Sequence, residues 1–493
     1  MKAGNAGDAA APSAGEGSPS PSDDRPPRGG LVTGTRTSLA GHPFATGRNR
    51  QVVGPVQGGM KRFLTILLLL ATFPLRAASF ESAEREIERS MKSGGVPGVA
   101  LVVVKDGRVV HAKAFGVCSV ETSVPVTTRT LFRLGSTTKL FVALAALRLV
   151  DQGALRLDGP IGDVVPGLAP ALGAVTLEQL LTHTAGLAED APQTGPLDES
   201  ALLARVTGWT DEALFASPGE VFSYANPGYV LAGAAIAQAA RQPFSAAIRS
   251  LVLEPAGMAE STFRPLEAFT RPVALGHDKA GIIRPIAEHA GNYPPGSLFT
   301  NVEELGRFLS SLPAETLERL GKARVAIPAQ GRSYGYGLIR DERRGARVLL
   351  HAGARSGYGS TFLFLPDQRA AVAILANRTG ATMSSAAFAA ARELAELKEP
   401  EVPAGVVELS PELRAGVTGT YANGTFLPAV ELVEDGGHLV IRVGGKAFPA
   451  ECVGNDRFRA KGAGQLESFI IVRDARGQAR FLCAETWALR KRS

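Results

Sequence analysis

The sequence predicts an α+β fold: one antiparallel sheet flanked by helices, with a helical insert, followed by a small C-terminal β domain. Three patterns predict it. Strand-type runs stand at both ends of residues 80–398, a mostly helical stretch separates them, and from about Leu409 the chain changes to short β-type runs broken by turns. Strands at the two ends of a segment, with helices inserted between them, combine as one antiparallel sheet with helices on it.

Taken in order, residues 1–59 are rich in Gly, Pro, Ser and Ala without a periodic apolar pattern, and are expected to be disordered. Met60-Lys61-Arg62, the apolar run Phe63 to Phe73 and the small residues Ala77, Ala78 and Ser79 follow the order of a signal peptide over 60–79. A signal peptide stands at the start of a chain, so Met60 is the expected start and residues 1–59 an over-extended gene model. A membrane anchor would need about twenty apolar residues, and Pro74 and Arg76 cut this run short. The expected mature protein is exported, periplasmic or secreted.

Phe80 to Ser93 carries apolar residues at helical spacing (Phe80, Ala83, Ile87, Met91). Val99 to Val104 and Val109 to Phe115 read as strands joined by Lys105-Asp106-Gly107-Arg108, and Asp-Gly is a strong hairpin signal. Leu131 to about Ala329 reads as mostly helical. Strands are expected at Tyr336 to Arg340, Val348 to His351, Thr361 to Leu365 and Ala370 to Ala376, then a helix from Thr382 to Leu397. Glu399-Pro400-Glu401-Val402-Pro403 opens a linker over 399–408. In 409–493 the runs Ala429 to Val433, His438 to Val443 and Phe469 to Val472 predict a small barrel or sandwich.

Of the net charge of +6, five lie in residues 1–78. Residues 1–78 hold nine Lys/Arg against four Asp/Glu, and the remainder 44 against 43, so nothing here points to nucleic acid. Of the three cysteines, Cys452 and Cys483 share the last segment, where an exported protein bridges them or keeps two buried thiols; Cys118 reads as core. There is no H-E-x-x-H, paired C-x-x-C or P-loop, and no metal or organic cofactor is expected.

The chemistry concentrates in Phe132-Arg133-Leu134-Gly135-Ser136-Thr137-Thr138-Lys139, where an apolar helical pattern starts at the serine and runs to Val150. Three residues is nearly one helical turn, so Ser136 and Lys139 share a face and the amine sits beside the hydroxyl it must activate. Tyr224-Ala225-Asn226 lies in a loop bounded by Pro218-Gly219 and Pro227-Gly228, leading into a helix near Gly228. His351-Ala352-Gly353 closes the run Arg347 to Leu350, and Gly353 would let a ligand approach the strand edge.

In this order the three motifs resemble those of the serine β-lactamase and penicillin-binding protein superfamily, S-x-x-K, S-D-N and K-T-G. The Tyr-x-Asn form is similar to the class C β-lactamase and D,D-carboxypeptidase branch. Leu180-Leu181-Thr182-His183-Thr184-Ala185-Gly186-Leu187 and Gly296-Ser297-Leu298-Phe299-Thr300-Asn301 resemble further family segments. The resemblance implies a mixed domain and an all-helical insert with the active site between them. It implies catalytic roles for Ser136 as nucleophile, Lys139 as its base and Tyr224 as proton relay. It also implies substrate binding at Asn226, His351, Gly353 and Ala354, with the backbone N–H groups of Ser136 and Ala354 as oxyanion hole. A helix cap is the plain alternative for Asn226, and His183 reads as structural.

The departure is His351-Ala352-Gly353 in place of Lys-Thr-Gly. A neutral histidine and an alanine supply neither the fixed charge nor the hydroxyl that hold a lactam carboxylate, and Arg355, beside Ser356, is a candidate replacement for that contact. The expected function is acyl transfer on peptide, amide or ester substrates, small molecules or cell-wall-derived peptides, of D,D-peptidase or esterase type. A class C-like β-lactamase and a penicillin-binding or scaffold protein with little turnover are the alternatives. The oligomeric state is not legible.

Overall fold

The computed structural model describes residues 79–190, 194–283, 288–400, 405–424 and 428–492. The expected signal peptide, the leading extension and part of the linker therefore lie outside the described residues. Among the described residues no helix is long and apolar enough to cross a membrane.

Eight strands form one antiparallel sheet: β1 (Gly98–Lys105), β2 (Arg108–Gly116), β3 (Val325–Ile327), β4 (Arg332–Tyr334), β5 (Ile339–Asp341), β6 (Val348–Arg355), β7 (Tyr358–Leu365) and β8 (Ala370–Ala376). Their order, β2-β1-β8-β7-β6-β5-β4-β3, joins the first strands to the last through the β1–β8 pair, in register from Val99 opposite Ala376 to Lys105 opposite Ala370. β1, β7 and β8 are buried almost throughout, because both faces of the sheet are covered. On one face, helix α1 (Glu81–Gly94) sets Ala83 and Ile87 against Val99, Leu101 and Val103. The other face packs on α2 (Thr138–Asp151) and the helical insert. From Leu140 to Leu147 α2 is apolar on every side and buried throughout, with the buried Lys139 at its start. The insert contains α3 (Leu177–Leu181), α4 (Ser200–Thr207) and α5 (Asn226–Ala240), and α6 (Val302–Ser311) returns to the sheet.

Several boundaries differ from expectation. β3 and β4 fall at the end of, or just beyond, the stretch read as helical, being three residues each and too short for a period-2 pattern. The expected strand Tyr336 to Arg340 shrinks to Ile339–Asp341 because the chain turns first, with Gly335 N donating to the Leu338 carbonyl at 2.8 Å and Gly337 at φ +72°. His351-Ala352-Gly353 does not end its strand: β6 continues to Arg355. The closing helix is Ser384–Arg392, shorter than predicted.

A second antiparallel sheet holds β9 (Gly419–Ala422), β10 (Val430–Asp435), β11 (His438–Val443), β12 (Lys446–Pro449), β13 (Glu451–Gly454), β14 (Arg457–Arg459), β15 (Ser468–Arg473), β16 (Ala479–Ala484) and β17 (Trp487–Lys491). The order is β12-β11-β10-β9-β17-β16-β15-β14-β13. The two edge strands are consecutive in the chain, with Ala450 between them, so the sheet curls nearly into a barrel around Leu432, Ile441, Phe458, Phe469 and Leu482. A helix at Pro411–Val417, capped by Ser410, precedes it unpredicted. Cys452 on β13 and Cys483 on β16 are separated by two intervening strands, and all three cysteines are free. At about 4.8 Å per strand the pair lies beyond disulfide reach.

Candidate active site

The S-x-x-K segment begins as a 3-10 turn, Gly135–Thr137, and becomes α2 at Thr138. Gly135 has φ +59°, and a Cβ there would lie 2.8 Å from Ala354 N. A Cβ on Gly353 would sit inside contact distance of the Leu134 carbonyl and 3.1 Å from Ser136 N. The two glycines thus let strand β6 and the Ser136 turn meet backbone to backbone, bringing the N–H groups of Ser136 and Ala354 together. This corrects the expectation for Gly353: what approaches it is the chain's own Leu134–Ser136 segment. Thr137 Oγ1 and Ser360 Oγ both donate to Leu134 O, at 3.1 and 2.6 Å, and lock the approach.

Lys139 is fully buried. Its Nζ donates to Asn226 Oδ1 at 2.8 Å, to the Pro295 carbonyl at 3.0 Å and to Ser136 Oγ at 3.4 Å. Burial lowers its pKa to about 7; Glu189 opposes the fall and Arg355 adds to it. The amine also lies 4.7 Å from the centre of the Tyr224 ring and 5.3 Å from that of Tyr229. At neutral pH a large share of Lys139 is therefore unprotonated and within reach of a hydroxyl, the condition for a general base.

Tyr224 stands two residues before α5. Its hydroxyl is buried without a hydrogen bond of full geometry. Burial raises its pKa, the neighbouring Ser136 hydroxyl opposes this, and the charge of Glu189 adds to it. Tyr224 is thus a neutral phenol, and Lys139 at its ring face does not make it a phenolate. Asn226 is the first residue of α5 but caps nothing with its side chain. Its amide links Lys139 to Glu189, with Nδ2 donating to Oε1 at 3.0 Å, which replaces the helix-cap alternative.

His351 is buried and pairs Nε2 with the Tyr334 hydroxyl at 3.1 Å and Nδ1 with the Ala352 carbonyl at 2.7 Å. Burial, then Lys139, depress its pKa to about 3, so it is neutral and offers no cation to a carboxylate. Its ring centre is 6.1 Å from that of Tyr224. Arg355 donates to Glu288 Oε1 at 3.2 Å, and the buried Arg133 pairs with the same carboxylate. Arg355 is therefore committed to a buried ion cluster. His183, at φ +58°, accepts from Ala225 N at 3.2 Å and packs its ring 4.2 Å from Tyr224 and 5.2 Å from Tyr229. It supports the tyrosine loop.

Four contributors were not legible in the sequence. Glu189, followed by Asp190, comes just after Gly186-Leu187-Ala188 and belongs to none of the three motifs. Glu288 and Pro295 come from the chain before β3. The last is the β16–β17 hairpin: Tyr224 N donates to the Thr486 carbonyl at 2.7 Å, and Ala488 N donates to Ser223 Oγ at 3.2 Å. Phe481, Cys483 and Ala488 pack on Ala216 and Val221, and Arg480 pairs with Glu220. The second sheet thus forms part of the wall that holds Tyr224. Among the described residues no cluster of metal-ligating side chains occurs.

The model of the family described as Beta-lactamase matches residues 83–396, and the chain belongs to that family. Penicillin-binding protein 4 of Amycolatopsis lactamdurans is 29% identical over 357 residues, 66% of this chain and 93% of that protein. Protein flp of Staphylococcus aureus strain N315 is 25% identical over 318 residues, 61% of this chain and 63% of that protein. Among solved structures, SurE with D-Leu superposes with TM-score 0.69 at 26% identity, covering 84% of this chain and 99% of that one. An octameric penicillin-binding protein homologue from Pyrococcus abyssi gives TM-score 0.58 at 26% identity over 84% and 100% of the two chains.

Proposed function

We propose that this member of the beta-lactamase family is an exported serine hydrolase that transfers acyl groups through an ester on Ser136, with D,D-peptidase or esterase activity on peptide, amide or ester substrates. The observation that carries the proposal is the buried Lys139 amine, 3.4 Å from Ser136 Oγ, with its pKa lowered to about 7. Neutral Lys139 takes the Ser136 proton as Oγ bonds to the substrate carbonyl carbon. The resulting oxyanion accepts from the N–H groups of Ser136 and Ala354, donors that are fixed before reaction begins. As the tetrahedral carbon collapses, the bond to the leaving group breaks and the Tyr224 hydroxyl gives that group a proton, recovered from Lys139. Water then attacks the ester by the same route, releasing the acid and restoring the Ser136 hydroxyl.

The neutral His351 and the engagement of Arg355 with Glu288 disfavour the class C-like β-lactamase reading, since neither supplies a free cation for the lactam carboxylate. The name of the Amycolatopsis relative supports a second reading, a penicillin-binding protein that acylates and turns over slowly. The D-Leu in the SurE structure makes substrates with D-residues the first to try.

Intact-mass spectrometry after brief exposure to benzylpenicillin and, separately, turnover of p-nitrophenyl butyrate test this. Ester turnover lost in Ser136→Ala, with any lactam adduct mapping to Ser136, is the expected result. A lactam adduct without ester or peptide turnover favours the slow reading. Turnover undiminished in Ser136→Ala overturns the nucleophile, and no reaction with either reagent brings the scaffold reading forward.

A further inference from the structure

Asn226 stands between two ionisable side chains. Its amide oxygen accepts from Lys139 Nζ at 2.8 Å, and its amide nitrogen donates to Glu189 Oε1 at 3.0 Å. Its backbone N–H donates to Oε2 of the same carboxylate at 2.8 Å. A primary amide has two orientations related by a half-turn, which exchange its donor and acceptor ends. An ionised carboxylate only accepts, so the end of the amide that faces Glu189 must be the nitrogen. The opposite end is then the oxygen, and that is where the Lys139 amine lies.

We propose that Glu189 is a positioning residue: by accepting from both the backbone and the side-chain N–H of Asn226, it fixes the amide orientation that holds the Lys139 amine beside Ser136. The proposal rests on the acyl-transfer reading of Ser136 and adds a residue outside the three motifs. Glu189 also contributes charge. Lys139 is faced by Glu189 from the loop after α3, Arg355 from β6, and the rings of His183, His351, Tyr224 and Tyr229. Glu189 itself is faced by Asn226, Lys139, Tyr224 and Arg205 of α4. Of the charged groups acting on Lys139, Glu189 is the one that opposes burial by favouring the ammonium form. A purely structural role would be narrower: Glu189 would tie its loop to a free N–H at the start of α5.

Glu189→Gln separates the two roles. Glutamine has one acceptor and one NH2 group. If its oxygen serves the Asn226 backbone N–H, its NH2 meets the side-chain amide and turns it round, placing a donor against Lys139. Acylation of Ser136 by p-nitrophenyl butyrate is expected to fall about 10- to 100-fold, as for a buried hydrogen bond lost. The acid limb of its pH profile is expected to move to lower pH, because the charge that favours the ammonium form is gone. Glu189→Asp keeps the charge and returns the limb toward its wild-type position.

A 13C NMR titration of labelled lysines, with the Lys139 signal identified by its loss in Lys139→Arg, reads the same shift without acylation. A wild type that is not acylated therefore sinks the acyl-transfer reading while the titration still judges Glu189. Should Glu189→Gln fail to fold, Glu189→Asp carries the test: it keeps the charge but shortens the reach to Asn226, so acylation must fall while the Lys139 midpoint stays near its wild-type value, and acylation undiminished in Glu189→Asp overturns the proposal. A Lys139 midpoint and acid limb unchanged in Glu189→Gln, whatever happens to the melting temperature, overturns the proposal.

Discussion

Gly353→Ala would place a methyl group where strand β6 meets the Ser136 turn. The added carbon falls inside contact distance of Leu134 O and Ser360 Oγ and 3.1 Å from Ser136 N. Two of these neighbours are backbone atoms, and the third is the hydroxyl that donates to Leu134 O at 2.6 Å and meets Thr137 Oγ1 at 2.8 Å. None can swing aside as a flexible side chain would, so the strand and the turn must separate. The overpacking is expected to cost about 1–3 kcal/mol of stability. The larger effect falls on catalysis. Separation by about 1 Å moves the Ser136 and Ala354 N–H groups apart, and a displacement of that size costs about 10²-fold. Loss of one oxyanion donor costs about 10²–10³-fold. The assay is stopped-flow acylation with p-nitrophenyl butyrate beside a urea melt of the same preparation. A folded Gly353→Ala protein that acylates within about threefold of wild type would refute the reasoning, because the two N–H groups would then not depend on this close approach.

Three further outcomes are expected. Tyr224→Phe removes a buried hydroxyl that has no hydrogen bond of full geometry, so a thermal melt should stay near wild type while acylation falls about 10²–10⁴-fold. Wild-type acylation should fall about tenfold per pH unit on the acid side of Lys139, whose pKa is lowered to about 7, because protonation removes the base. By linkage, the unfolded chain binds more protons than the native one between pH 7 and the ordinary lysine value of 10.5, so this lysine makes stability rise with pH across that window, as urea melts would read. Glu288→Ala leaves the buried Arg133 and Arg355 without their shared carboxylate and should cost about 3–5 kcal/mol in the same melt.

The sequence by itself determined the parts of this protein that are local or periodic. An apolar helical run starting at a serine, with a lysine one turn on, specifies a hydroxyl and an amine on one face wherever the helix is placed. The runs that became β1, β2, β7 and β8 are long enough to show their period, and the short strands β3 and β4 are not. Ser136, Lys139, Tyr224, Asn226 and His351 were each named from motif and order, and the structure brings them to one place.

The tertiary structure alone decided protonation states, partners and packing. Lys139 and His351 are written the same way whether exposed or buried, yet burial lowers the pKa of both and leaves the histidine neutral. The sequence suggested Arg355 for a substrate carboxylate, and Glu288 takes that guanidinium first. Gly353 was read as room for a ligand, but the chain's own turn fills that room. Glu189 and Thr486 lie 37 and 260 or more residues from the atoms they hold, and no local pattern encodes such a contact. Desolvation and hydrogen-bond partners depend on what the whole fold packs around a group, which is why they became readable only with the chain folded.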